Sequence, residues 1–102
     1  MGYYTHFKIR ATNPEAIRVL RKPDSYAEMA FDEDGDTVDS CKWYEHEEEI
    51  IEFSKLYPDV LFTLNGEGEE SGDIWTKYFL NGKMQYERAT IVINPFDPTK
   101  LK

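Results

Sequence analysis

Apolar and polar residues alternate along residues 3–12. Tyr3, Thr5, Phe7, Ile9 and Ala11 fall on one side, and Tyr4, His6, Lys8, Arg10 and Thr12 on the other. A period of two predicts a strand buried on one face, so the first set faces a core and His6 faces solvent. Asn13-Pro14-Glu15 then supplies an N-cap, a proline for the first helical position and an acid for the first turn, and Arg21-Lys22-Pro23 supplies cations and a stop. A short helix over residues 14–22 is predicted, docking through Ala16, Ile17 and Leu20. Residues 26–31 and 37–44 are β-compatible, and the Asp-Gly pair in the acidic turn between them is a strong hairpin signal. Helical spacing returns over residues 45–57, with Ile50, Phe53 and Tyr57 as the apolar stripe, Ile51 on its flank, and Glu45, Glu48, Glu49 and Glu52 outward. Pro58 stops that helix.

The remaining pattern is β. Residues 60–65 place Val60, Phe62 and Leu64 on one side, and residues 66–72 form a mobile loop of glycine and glutamate. Residues 74–80 and 83–93 are strands joined by Asn81-Gly82, the favoured two-residue hairpin turn, and an irregular tail over 94–102 contains Pro95 and Pro98. The order predicts a single α+β domain over residues 1–102. It is a ferredoxin-like βαββαβ sandwich with two helices on one face of an antiparallel sheet, extended by a C-terminal β-hairpin. Trp43, Phe53, Phe62 and Ile91 are its expected core residues. Hydrophobic content of 40% and aromatic content of 15% argue for a folded chain in spite of the charge.

Charge is unevenly placed. Of the net −8, residues 28–73 hold sixteen acids against Lys42 and Lys55, a local −14, and the two flanks are mildly basic. Such an acidic middle argues against direct DNA binding there, because phosphate affinity comes from clustered Lys and Arg. No apolar run reaches the length of a membrane span and the start lacks a secretory pattern, so a cytoplasmic protein is expected.

Candidate chemistry is sparse. Cys41 lies in a strand pattern and reads as a buried structural thiol; His46, among glutamates at a helix start, reads as solvated rather than as its base. Asp32, Asp34 and Asp36 match the first, third and fifth positions of a calcium loop, but Thr37 replaces the sixth-position glycine and Trp43 the twelfth-position glutamate. The turn therefore reads as solvated and no metal is expected. Gly66, Gly68 and Gly72 lack the spacing and the Lys-Ser or Lys-Thr pair of a phosphate loop, and Glu67, Glu69 and Glu70 would repel phosphate. No cofactor and no catalytic residue is expected.

Trp43, Tyr57-Pro58-Asp59, Phe62, the Glu67-Gly68 to Gly72 loop followed by an aromatic, and Asn81-Gly82 together resemble the YubB-like group of ferredoxin-like domains of plasmids and phages. The resemblance is confined to residues 42–82; it implies a mobile-element origin and transfers no catalytic residue.

These readings predict a small acidic, non-enzymatic binding protein. Asp32, Asp34, Asp36, Glu45, Glu48, Glu49, Glu52, Glu67, Glu69 and Glu70 are the expected partner-binding acids. If they join into one field they would mimic a phosphate array and attract a basic protein surface, such as the nucleic-acid-binding groove of a host-defence nuclease. Alternatives are a protein-interaction domain or homodimer pairing through an edge strand. An RNA-binding sheet using Tyr4, Lys8 and Arg10, and a small enzyme, are lesser alternatives.

Overall fold

A computed structural model describes residues 2–90 and 92–102. Its order is β1 (Thr5–Ala11), α1 (Glu15–Leu20), α2 (Tyr26–Ala30), β2 (Ser40–Cys41), α3 (His46–Ser54), β3 (Phe62–Gly68), β4 (Ile74–Leu80) and β5 (Lys83–Arg88), then a 3-10 turn over Pro98–Lys100. The five strands form one sheet in the order β2-β1-β3-β4-β5, with antiparallel pairing throughout. The α+β class, the antiparallel sheet and the β4–β5 hairpin are thus present. The wiring differs from the split βαβ pattern, which would set a parallel pair at the centre of the sheet.

The difference starts at Ser25. Its hydroxyl accepts the Glu28 backbone N–H, and Glu28 reaches back to accept the N–H of Asp24. A serine followed three residues later by glutamate is a capping-box signature, and it turns residues 26–30 into helix where β-compatibility predicts a strand. Ala27 and Ala30 become its buried face. The expected hairpin shrinks accordingly. Phe31 and Thr37 make a single antiparallel bridge across the acidic turn, and only Ser40 and Cys41 pair with β1.

β1 keeps its predicted faces: Thr5, Phe7 and Ile9 are buried, and His6, Lys8 and Arg10 are exposed. α1 docks through Ala16, Ile17 and Leu20. α3 docks through Ile50 and Phe53, with Ile51 and Tyr57 packed against the core. The core also takes in Trp43, Phe62, Leu64, Trp75 and Phe79; Ile91 lies outside the described residues. Cys41 is buried as expected, and burial pushes its thiol pKa up.

β3 runs on through Gly66, Glu67 and Gly68, residues that composition assigns to a mobile loop. Gly66 is buried opposite Trp75 in the ladder, and a Cβ there would overlap the Trp75 indole. Glycine here makes room for a ring. Gly35, at φ 88, faces a similar constraint: its carbonyl accepts the Ile9 N–H, and a Cβ would strike the Ile9 backbone oxygen. The acidic turn is therefore seated on β1 and not free. At the far hairpin Asn81 and Gly82 adopt the paired positive φ of the predicted turn, but β5 stops at Arg88, five residues short of expectation.

Two substitutions test this packing. Phe62→Ala should cost about 3 kcal/mol through lost transfer energy and a residual cavity. Gly66→Ala should cost about 1–3 kcal/mol by overpacking against Trp75. Urea titration reads both, and a neutral Gly66→Ala would show that the indole does not rest on this glycine.

Candidate functional site

Residues of the ends fold back onto the acidic middle. Arg10 pairs with Asp36 at 2.6 Å, Arg18 with Glu33 at 3.6 Å, Lys77 with Glu47 at 2.7 Å and Arg88 with Asp73 at 3.9 Å. The exposed pairs of Arg10, Arg18 and Arg88 contribute little to stability. They do decide which acids keep an open field.

The expected acids fall into three places. Asp32, Asp34 and Asp36 form a tight turn in which one Asp32 oxygen accepts the backbone N–H of both Asp34 and Asp36, while Arg10 holds the Asp36 carboxylate and the Asp34 carbonyl. Glu67, Glu69 and Glu70 lie at the other end of β1. Glu67 pairs with His6 in the ladder, Glu69 accepts the N–H of Tyr4, and the Glu70 N–H is held by the Tyr3 hydroxyl. Six residue steps of extended chain separate Tyr4 from Arg10, about 20 Å. The third group is on α3. Glu45 stands at its N-cap, Glu49 accepts the indole N–H of Trp43 at 3.0 Å, and Glu52 pairs with Lys55.

Glu48, Glu49 and Glu52 are brought together over an apolar floor. They line a groove of about 460 Å³ between α3 and the α1–α2 segment, whose floor is Leu20, Ala27, Phe53 and Leu56. Lys22 and Ser25 complete the rim. Leu56 is 71% exposed, so the floor is open to a partner. Glu52 lies one turn on from both Glu48 (i, i+4) and Glu49 (i, i+3), which makes it the neighbour of each on the helix surface.

The exposed side of the sheet is mixed. Lys8 and Arg10 lie there, but Asp36 neutralises Arg10 and Glu67 and Glu69 border Tyr4 and His6. Tyr78, across Thr63 from Arg10, shares that side with Tyr4.

His46 departs most from its expected solvated state. Its ring stacks on Trp75 with centroids 5.2 Å apart and planes 10° from parallel. Nδ1 lies 2.7 Å from the Trp43 carbonyl and Nε2 lies 2.7 Å from Lys77 Nζ. A carbonyl can only accept, so Nδ1 carries the proton and Nε2 accepts from the ammonium. Burial, and secondarily the Lys77 charge, holds the His46 pKa below its ordinary value. Both nitrogens are committed, so His46 is unavailable to activate Cys41. Lys77, only 7% exposed, is further held by Glu47 and by the faces of Trp75 at 4.1 Å and Tyr86 at 5.2 Å. A buried ammonium is tolerated only when paired in this way. Sequence spacing offered no sign of the cluster, because Lys77 comes from β4 and His46 from α3. One clue existed: Lys77 alternates in phase with Trp75 and Phe79, which places a lysine on the buried face.

No family model, no curated protein and no solved structure matches the chain. Among the described residues no helix is long and apolar enough to cross a membrane.

Acidification tests the His46 geometry. The unfolded chain takes up the histidine proton before the folded one does, so stability is retained above pH 6.5, the ordinary value, and is lost as pH falls below it. Urea titrations at pH 7.5 and 5.5 should show the loss in the wild type and a smaller one in His46→Gln, whose amide does not titrate. For the Asp turn, millimolar calcium should raise Tm no more than magnesium does, since Asp32 is occupied by backbone donors and Asp36 by Arg10. A calcium-specific rise abolished by Asp34→Asn would return this turn to the metal sites.

Proposed function

We propose that the chain is a small non-enzymatic binding protein that docks a basic, apolar-anchored protein segment in the α3 groove. The observation that carries this reading is the rim of Glu48, Glu49 and Glu52 above a floor of Leu20, Ala27, Phe53 and Leu56. Carboxylates at a rim steer a cationic partner and set its orientation, and the apolar floor supplies the binding energy. A phosphate-mimicking surface would call on Asp32, Asp34, Asp36, Glu67, Glu69 and Glu70 as well. Their separation along β1 supports a local groove over one continuous field. A mobile-element origin, implied by the likeness of residues 42–82 to the YubB-like group, accords with such a role.

Fluorescence anisotropy with a short labelled Lys/Leu peptide, and the same peptide carrying Glu for Lys, tests the groove. The basic peptide should bind, weaken steeply as salt rises, and lose roughly tenfold or more in affinity to Glu48→Gln/Glu49→Gln/Glu52→Gln, at about half a kcal/mol for each rim charge. Equal affinity for both peptides, or indifference to the triple variant, would reject it. A Leu56→Ser variant separates the floor from the rim, since it should weaken binding at every salt concentration.

A further inference from the structure

The C-terminal segment presents an unusual surface. Val92, Ile93, Phe96 and Leu101 are 78%, 86%, 76% and 70% exposed, and Phe96 and Leu101 bracket the 3-10 turn that Asp97 caps. Lys100 and Lys102 flank Leu101. Four large apolar side chains standing in water within so short a stretch is the signature of a docking segment. Its chemistry, apolar anchors beside lysines, is the complement of the α3 groove.

We propose that the segment from Val92 to Lys102 of one copy occupies the α3 groove of a second copy, giving a reciprocal dimer. The inference rests on the groove reading above and names its occupant. Phe96 and Leu101 fill the floor over Phe53 and Leu56, and Lys100 and Lys102 meet Glu48, Glu49 and Glu52. A second copy is the fitting acceptor because of where the segment starts. It leaves the sheet at β5, the edge strand, whereas the groove lies on the far side of α3, toward α1 and α2. The segment projects away from the body, and the molecule is 55 Å long with a radius of gyration of 16.5 Å. A compact chain of this length has a radius near 13 Å. Because each copy carries both donor and acceptor, a two-fold exchange closes on itself and leaves no free end for growth into a fibre.

Sedimentation velocity on the full chain across a dilution series is the test. A monomer–dimer equilibrium is expected, weakened roughly tenfold or more by Phe96→Ser/Leu101→Ser, as the loss of two buried apolar anchors requires. Both side chains are exposed, so the monomer fold survives the change. Lys100→Glu/Lys102→Glu should also weaken the dimer, and mixing that variant with Glu48→Lys/Glu52→Lys should restore a heterodimer that neither forms alone. A dimer unmoved by the tail variants overturns the inference. So does a monomer at all concentrations whose affinity for the Lys/Leu peptide rises when the tail is altered, because the segment would then fill its own groove. If the chain is monomeric, tail variants change nothing and the peptide still binds, the groove reading stands and this inference falls; if the peptide also fails to bind, both fall.

Discussion

The seating of Trp75 governs how the sheet and α3 meet. The indole needs a buried position on β4, a neighbour on β3 with no side chain, and a flat partner above it. Gly66 provides the vacancy and His46 the partner. Once the ring is in place, His46 is fixed at the start of α3, its Nε2 is aimed at β4, and Lys77 can enter the core with a partner already waiting. Phe7 and Trp43 close the cluster edge-on. Aromatic rings prefer such tilted and offset contacts, which gain energy beyond burial alone. Each component would be unfavourable singly: a glycine inside a strand, a half-buried imidazole, a nearly buried ammonium. Together they satisfy one another, and among the described residues no buried side-chain nitrogen or oxygen lacks a partner.

How far the fold is legible in sequence depends on the range of the signal. Elements set by local chemistry are read correctly: the alternation of β1, the docking face of α1, the stripe of α3, and the Asn81-Gly82 turn with its β4 strand. Residues 26–31 are misread because two local signals conflict. The Asp-Gly pair favours a hairpin, while Ser25 and Glu28 cap a helix, and the cap prevails because it satisfies backbone donors that a two-residue β2 could not. Gly66 is misread for another reason. A glycine required by a ring nine residues further along the chain looks the same as one required by a loop. The candidate site follows the same division. Glu48, Glu49 and Glu52 are visible from helical spacing, but their floor is assembled from α1, α2 and the end of α3, which only the tertiary arrangement supplies.

Charge segregation along the chain also takes on a physical meaning in the fold. An acidic centre between basic flanks lets Arg10, Arg18, Lys77 and Arg88 screen the turn, the start of α3 and the β3–β4 connection. Among the described residues, Glu48 makes no ion pair and Glu49 is held by a neutral indole. Glu52 is paired with Lys55 and Lys22 stands on the same rim, so along this side of α3 Glu48 and Glu49 are the carboxylates without an ion-pair partner among the described residues.

The place of β1 between β2 and β3 bears on the order in which the molecule assembles. β3, β4 and β5 are consecutive neighbours joined by short connections, whereas β1 pairs Thr5 with Gly68 and Ala11 with Phe62. Loop-closure entropy favours the local meander first and delays the distant pairing. β1 already has partners that precede β3 in the chain, since Ser40 and Cys41 pair with it and the Gly35 carbonyl accepts the Ile9 N–H, so it is its other edge that waits for Phe62–Gly68. That order implies that the β3–β5 meander gains hydrogen-exchange protection before the β1–β3 ladder does.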